Sequence, residues 1–446
     1  MSARDLALFT DLYELKMLQT YRLEGMAEAG VFDLYVRELP ESRNYLLACG
    51  LDDALAWLES VRFRKSDLDY LATTGHFRDD FLKWLETFRF TGDVWAVPEG
   101  TPVFADEPLL EVIAPVGEGQ LAETFLMNQV HFQTAVASKA ARVVQAASGV
   151  PVVDFGMRRY HGTDAALKAA RAFTVAGVAS TSNVLAGKTY GIPVAGTMAH
   201  SFVQAFDDEM DAFRAFVRAY PDTVVLVDTY DTIEGVEKLV ALAREMGPAF
   251  RVSGVRIDSG DLVELSRRSR EILDAAGLER VGIFLSGGLD EHRVAEVVRS
   301  GVRVEGFGVG TRMGVPPDAP TLDIAYKLVE YGGEGRLKLS PGKPILPGRK
   351  QVYRAIGADG RAERDVVARR DEVHEGEPLL VEVMRGGERT AAGRESLADA
   401  RERARRETAR LPDPVRGIEP AEPPYPVVVS GPLLDVQRRV EERFAD

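Results

Sequence analysis

The chain has 446 residues, of which 45% are hydrophobic and 28% charged, and it carries a formal net charge of −14 at pH 7. This length gives room for two or three domains with shared cores, and the composition is that of an ordinary soluble globular protein. The acidic balance excludes a binder of the nucleic-acid backbone, which needs a cationic footprint, and one cysteine, Cys49, excludes both an intramolecular disulfide and a cysteine-built zinc site.

No stretch reaches the length of an apolar membrane-spanning helix, and "MSARDLALFTDLYELKM" carries acidic residues where a secretory segment would be apolar. A cytoplasmic location is expected. In chain order, "TDLYELKMLQTYRLEGM" has a Thr-x-x-x-Glu opening and apolar residues at helical spacing, so it predicts a helix. "AGVFDLYVRELP" alternates like a strand and ends at proline, while residues 93–116 are strand-rich and broken by Pro and Gly. These elements make residues 1–135 an α+β domain.

From residue 136 to 340 short β-branched runs alternate with amphipathic helices. The runs are "VPVVDFG", "IPVAGTM", "DTVVLVDTY", "RVSGVRID", "VGIFLSGG" and "VRVEGFGVG". Near-continuous apolar strands with helical crossovers imply parallel strands covered by helices, and at least six such units in a row favour an α/β barrel over an open sheet. Residues 341–446 return to hairpin-like β structure and a charged helix, "RESLADARERARRETARL", whose alternating signs suit a solvated face. This last segment is expected to pack on the N-terminal domain.

Functional groups of a parallel α/β barrel sit at the C-terminal ends of its strands. Those positions deliver Arg158, Arg159 and His161; His200; Asp228, Tyr230 and Asp231; Arg256, Asp258, Ser259 and Asp261; and two glycine loops, 285–290 and 306–311. Each has a plain alternative. His200 could be a structural histidine, Asp258 and Asp261 could be helix N-caps, and the glycine loops could be turns. Two late, consecutive glycine loops nevertheless match the usual phosphate site of such barrels, formed after strands seven and eight, where backbone N–H groups bind phosphate without net positive charge. "SNVLAGKT" (182–189) ends like a P-loop, but Ser182 takes the first glycine position and the segment falls on a helix. "VVLVDTYDT" is similar to the acidic motif of the Rossmann-like phosphoribosyltransferases, whose short single-domain form does not suit this chain.

With those strand ends in view, the chain resembles the nicotinate phosphoribosyltransferases, type II phosphoribosyltransferases of NAD salvage. The resemblance runs from "FTDLYELKM" and "FDLYVRELPESRNYLLACGL" through "TSNVLAGKTYGIPVAGTMAHS" and "GVRIDSGDL" to "GFGVGT" and "LDIAYKLV"; "DFGMRRYHG" departs from the commoner family form at Tyr160 and His161. It implies an irregular (β/α) barrel with an α+β domain built from both chain ends. It implies an enzyme that joins nicotinate to phosphoribosyl pyrophosphate, giving nicotinate mononucleotide and pyrophosphate, coupled to ATP hydrolysis through a phosphohistidine at His200. Asp258 would then grip the ribose hydroxyls. Tyr13 (from a partner subunit of a homodimer), Phe155, Arg158, Ser182, Thr197 and Arg256 would hold nicotinate, and Ser286, Gly287, Gly288, Gly310 and Thr311 would cradle the 5′-phosphate. Mg²⁺ would arrive with phosphoribosyl pyrophosphate or ATP, since no histidine–carboxylate cage for a resident metal is evident. Nicotinamide phosphoribosyltransferase is the nearest rival, disfavoured because its members carry an Asp where this chain has Ser182. A non-catalytic nucleotide-binding barrel would be expected to have lost His200 or Asp258, and both are present.

Overall fold

The alternating stretch near the N-terminus forms the strand Ala29–Val36, but seven of its eight residues are buried, so both faces are covered. The reason is its place in the sheet: it lies between two antiparallel neighbours, Ile324–Tyr331 and Pro108–Pro115. In this computed structural model residues 6–339 and 345–445 are described. The chain divides into two compact units, Met1–Ser138 with Asp318–Asp446, and Lys139–Pro317.

The first unit is built on a seven-stranded sheet. From Pro108–Pro115 it continues through Asp93–Ala96 to Val381–Arg385, so residues from both ends of the chain share one sheet. The helix Leu12–Leu23 buries Leu15 and Leu18 beside it. Strand Ile324–Tyr331, within the span expected to belong to the barrel domain, is instead part of this sheet. A second sheet pairs Lys350–Ile356 antiparallel with Ala362–Arg369, across a turn at Asp359–Gly360. The start of the hairpin-like C-terminal segment, residues 340–344, lies outside the described residues. The charged helix is Leu397–Arg410, opened by a capping box between Ser396 and Asp399. Gly100, at φ +83, lets the backbone pass under this helix, since a Cβ there would fall on the Ala400 carbonyl oxygen.

The second unit is a six-stranded, all-parallel sheet. Its spatial order is Ser180–Thr181, Val152–Asp154, Gly306–Val309, Gly282–Ser286, Gly254–Ile257 and Val224–Leu226. The helices Thr163–Val175, Thr232–Met246, Leu262–Ala275 and Glu291–Arg299 provide crossovers. Strand residues Val225, Leu226, Val255, Ile257, Ile283, Leu285, Phe307 and Val309 are fully buried, as parallel strands covered by helices require.

Two sequence expectations change here. "IPVAGTM" makes only one bridge, Thr181 with Val194, rather than a strand. Pro193 has no N–H to give a ladder, so the segment meets the sheet edge through the Pro193 carbonyl and the Ala195 N–H alone, then diverges at Gly196. In its place, Ser180–Thr181 is a strand too short for periodicity to reveal. The ladder does not close between Val194 and Val224–Leu226. The barrel is therefore irregular, and the two glycine loops follow the fifth and sixth strands in chain order rather than the seventh and eighth.

Candidate active site

The loop after Val152–Asp154 is fixed by one buried carboxylate. Asp154 accepts the Gly156 N–H at 2.9 Å, the Tyr160 hydroxyl at 2.6 Å and the Thr181 hydroxyl at 2.7 Å. Burial raises its pKa against those three donors. Tyr160 is buried, edge-on to Phe173, and both Gly156 and Gly314 lack the Cβ that would strike its ring. Tyr160 thus ties down the turn, while His161 is exposed. The consequence is a short 3₁₀ turn, Met157–Arg159, that presents Arg158 and Arg159 outward.

Strand Gly254–Ile257 delivers Arg256, whose Nη2 donates to the Met198 carbonyl at 2.8 Å. Its Nη1 makes only long contacts, 3.4 Å to Ser286 Oγ and 3.5 Å to Asp258 Oδ1, and its buried Nε has no partner among the described residues. The guanidinium carbon lies 5.7 Å from the centre of the Phe155 ring. Burial lowers the guanidinium pKa and Arg158 adds to this, while Asp258 and Asp228 oppose it. The group therefore keeps unused donors in a place where a carboxylate would be strongly bound. Phe155 itself fits because Gly308 beside it has no side chain.

Asp258 accepts a short hydrogen bond from Ser286 Oγ, and its backbone N–H donates to Asp228 Oδ2 at 2.9 Å. Asp228 also accepts from Ser259 Oγ at 2.8 Å, and its Oδ1 is buried without a partner among the described residues. Asp231 and Asp261 behave differently: each caps a helix, accepting from Ile233 and Glu234 N–H, or from Glu264 N–H. The helix-cap alternative is thus correct for Asp261 and not for Asp258.

His200 opens the short helix His200–Gln204, and its Nδ1 lies 3.2 Å from Thr229 Oγ1. Thr197 and Met198 lie just before it. Ser182 is anchored by its N–H on the Asp154 carbonyl at 2.8 Å. The P-loop-like segment is the helix Val184–Tyr190, capped by Asn183, with Lys188 in its last turn, so it forms no phosphate loop.

The two glycine loops meet on the other side. Gly287 and Gly288 have φ of +88 and +63. A Cβ on Gly287 would fall on the Asp258 carbonyl oxygen, whereas Gly288 faces open space. Both glycines line the cleft without a side chain to cover the turn's backbone, and turns of this kind bind anions through their N–H groups. Asp290 caps the next helix and accepts from Arg312 Nη1 at 2.7 Å; Arg159 Nη1 reaches Thr311 Oγ1 at 3.5 Å. Behind the loop, Glu291 is buried with two cations, Lys139 and Arg142. Burial opposes its ionisation, but Lys139 and Arg142 outweigh this and hold its carboxyl below the usual range.

Part of this set lines one cleft of about 600 Å³, while Asp154, Asp228, Thr229, Asp290 and Glu291 stand behind its walls. It brings together His200, Asp258, Phe155, Arg158, Ser182, Thr197, Arg256, Ser286, Gly287, Gly288, Gly310 and Thr311. Four arginines, 158, 159, 256 and 312, face one aspartate, so the cleft is cationic although the chain is acidic. Tyr13 is not among the lining residues. It lies on helix Leu12–Leu23 of the first unit, 46% exposed, its phenol pKa raised by partial burial and by Glu123. Thr229 and Arg312 were not apparent from sequence, because only their spatial partners mark them. Among the described residues no group of three or more His, Cys, Asp or Glu could hold a metal ion, and no helix is long and apolar enough to cross a membrane.

Comparison with known proteins agrees with this chemistry. Residues 8–131 match the model of the nicotinate phosphoribosyltransferase N-terminal domain, and residues 150–367 match that of the nicotinate phosphoribosyltransferase family. A nicotinate phosphoribosyltransferase of Mycobacterium tuberculosis is 52% identical over 440 residues, 99% of this chain and 94% of that protein. One of Bacillus subtilis is 41% identical over 82% of this chain and 77% of its own length. The crystal structure of human nicotinic acid phosphoribosyltransferase superposes with a TM-score of 0.86 at 30% identity, covering 97% of this chain and 99% of that one. A nicotinate-nucleotide pyrophosphorylase from Pyrococcus furiosus, 24% identical with a TM-score of 0.74 over 91% of this chain and 96% of its own, shares the fold. The chain belongs to the nicotinate phosphoribosyltransferase family.

Proposed function

We propose that the cleft joins nicotinate to phosphoribosyl pyrophosphate, releasing pyrophosphate and nicotinate mononucleotide, and that ATP drives the reaction through phosphorylation of His200. The observation that carries the reading is convergence: His200, Arg256, Asp258 and the Gly287–Gly288 turn line the same cleft. Nicotinate is an aromatic carboxylate. Phe155 offers it a ring face, and Arg256, with Arg158 beside it, offers the charged donors. Ser182 leaves that region without the carboxylate that would repel the acid, which favours nicotinate over nicotinamide. Thr197 also lines the cleft.

The glycine turn, Ser286, Gly310 and Thr311 would hold the 5′-phosphate, and Asp258 would accept from the ribose hydroxyls. As the C1′–oxygen bond breaks, positive charge grows on the sugar, and the Asp258 carboxylate, held in place by Ser286, opposes that charge. Asp228 Oδ1 and Asp258 are hard oxygen donors of the type Mg²⁺ takes, which suits an ion arriving on the phosphates of a substrate and neutralising the departing pyrophosphate.

Tyr13 enters through a second copy of the chain. Phe9, Leu12 and Tyr13 are large apolar side chains left more than 40% exposed on one segment, as an interface would require. A two-fold dimer would complete two sites at once. Nicotinate mononucleotide formation from nicotinate or nicotinamide, with and without ATP, tests the reading. Nicotinate should be used and ATP should increase turnover. His200→Ala should abolish ATP hydrolysis and acid-labile enzyme phosphate, and stoichiometric labelling of that variant from γ-labelled ATP would refute the role of His200. Mixing Tyr13→Ala with His200→Ala chains should restore part of the activity; no recovery despite proven subunit exchange would refute the shared site.

A further inference from the structure

We infer that Arg256 is also a positioning residue for His200. One edge of its guanidinium holds the loop that carries the histidine, so binding of an aromatic carboxylate and placement of His200 are coupled through a single side chain. The consequence for catalysis rests on the proposed reaction; the tie itself does not.

The segment between the sheet edge and His200 is held only weakly by its own backbone. Its last tie to the sheet is the Ala195 N–H, donated to the Thr181 carbonyl at 3.0 Å. At Gly196 the chain runs in open space, where a Cβ would meet nothing within 4 Å. The helix that follows, His200–Gln204, has five residues, and Ala199 at its N-cap has no side-chain oxygen to accept an N–H. Met198 buries its side chain. Among the described residues, the backbone of residues 196–198 has one hydrogen bond to the rest of the fold, from Arg256 Nη2 to the Met198 carbonyl at 2.8 Å. The second contact to that carbonyl is local and long, from Thr197 Oγ1 at 3.3 Å. The contact of His200 with Thr229 meets the ring and leaves the backbone to Arg256. Donor and acceptor are fixed by chemistry here, since a guanidinium only donates and a carbonyl only accepts.

The base of the Arg256 side chain is rigid, because strand Gly254–Ile257 is paired on both sides. Its guanidinium is engaged on one side only. Nη1 makes the long contacts to Ser286 and Asp258, and the buried Nε has no partner among the described residues. A carboxylate arriving at these donors finds the guanidinium already oriented by Met198, which lowers the ordering cost of binding. In return it occupies the donors that otherwise reach toward Ser286 and Asp258, so the guanidinium is held on the Met198 carbonyl. Linkage makes the two effects equal: whatever factor the loop tie adds to carboxylate affinity, the carboxylate adds to the loop tie. An uncharged amide on the same ring has no such hold on the guanidinium.

The Met198 carbonyl can be watched directly and without ATP. Met–Ala occurs twice in the chain, at Met26–Ala27 and Met198–Ala199. The full chain labelled with carbonyl-¹³C methionine and ¹⁵N-alanine therefore gives two HNCO signals, the second assigned by its loss in Ala199→Gly. Arg256→Ala should move that signal upfield, as for a carbonyl that loses a donor, and leave the Met26 signal in place. Nicotinate added to the wild type should move it downfield, and nicotinamide should not.

The reciprocal arm leaves Arg256 intact. Replacing Ala199 by its α-hydroxy analogue, lactate, turns the Met198 carbonyl into a weaker ester acceptor and removes an N–H that no described residue accepts. Nicotinate, measured by calorimetry, should then bind roughly fivefold more weakly, about the worth of one hydrogen bond. Phosphoryl transfer from ATP to His200 should slow by a similar factor. A Met198 signal indifferent to Arg256→Ala or to nicotinate would overturn the coupling. So would an ester chain that binds nicotinate, or is phosphorylated, as the wild type is. If the carbonyl and affinity changes appear but the wild type takes no phosphate on His200, the coupling stands and the phosphohistidine reading falls.

Discussion

Two loops of the second unit carry the same pattern, aspartate, two residues, aspartate: Asp228 to Asp231 and Asp258 to Asp261. In each, the second aspartate is a helix N-cap whose carboxylate accepts backbone N–H groups and so supports the fold. The first aspartates are tied into one network, Asp228 holding the Asp258 N–H and the Ser259 hydroxyl, and Asp258 accepting from Ser286 at the cleft. Residue type and spacing are identical in the two loops, and the jobs divide by place. At the strand ends Asp258 lines the cleft and Asp228 holds the backbone and serine beside it, whereas the residue three positions on meets the orphan N–H groups of the helix. A third loop, Ser286 to Asp290, repeats the division with a serine at the strand end and an aspartate as cap.

Substitutions that separate the two jobs should have very different readouts. The largest effect is expected next to the first aspartate of the 258 loop. Arg256→Ala should weaken nicotinate by about 2–5 kcal/mol if the ion pair is largely desolvated, while phosphoribosyl pyrophosphate loses much less; equal losses for both, measured by calorimetry, would show that Arg256 serves the phosphates. Next comes Asp258→Asn, which keeps the volume and removes the charge. It should cost roughly 2–4 kcal/mol in kcat/KM with little change in melting temperature. Asp261→Ala should do the opposite, costing about 1 kcal/mol of stability with kcat/KM nearly unchanged. A stability loss for Asp258→Asn equal to that of Asp261→Ala would erase the distinction.

The cap of the third loop adds a pH test. Burial pushes the Asp290 carboxyl up, but the Arg293 N–H and Arg312 outweigh it, and the pKa lies below the ordinary value. A depressed carboxyl contributes stability above its unfolded pKa and loses it as pH falls through the folded one. Denaturation midpoints of wild type and Asp290→Asn should therefore differ at neutral pH, the wild type being more stable. The difference should begin to shrink as pH falls below about 4 and vanish only below the depressed folded pKa. A constant difference across that range would show that the Asp290 charge does not matter.

These comparisons also mark what the sequence alone could show. The parallel unit is legible because buried β-branched runs alternating with amphipathic helices are a local signal. Its strand ends point to Arg158, Arg159, Arg256, Asp258 and the glycine loops of the cleft, but equally to His161, Tyr230, Asp231, Ser259 and Asp261, which do not line it. Phe155, Ser182 and Thr197 come from the family resemblance. Asp258 and Asp261 could not be told apart, because a cap is recognised by the N–H groups it meets and those depend on where the helix begins. The end of the second unit was misplaced because "IAYKLVEY" has strand character in either unit. Only its pairing with Ala29–Val36, almost 300 residues away in sequence, decides the matter. "IPVAGTM" was misread as a strand because its apolar residues suited one, while Pro193 removed the donor a ladder needs. Thr229 had no signal at all, since a threonine in a loop becomes informative only when a histidine is found against it.

The smallest effect expected is also the sharpest comparison, because it applies one chemical change to both aspartates of one loop. Asparagine is as good an N-cap as aspartate, its side-chain oxygen accepting the same N–H. Asp261→Asn should therefore cost only a few tenths of a kcal/mol in stability, the part due to charge at the positive end of helix Leu262–Ala275, and should leave kcat/KM within experimental error. The same replacement three residues earlier removes the charge from the group that accepts from Ser286 and, in the proposed reaction, faces a sugar becoming positive. The carbonyl of an asparagine can still accept that hydrogen bond, so the local structure is retained and the loss reports on charge alone. Thermal denaturation and steady-state kinetics on the two variants should give nearly superimposable melting curves and widely separated rates. If instead Asp261→Asn slows turnover as much as Asp258→Asn, the second aspartate also acts on substrate, and the division between cleft and cap fails for this loop.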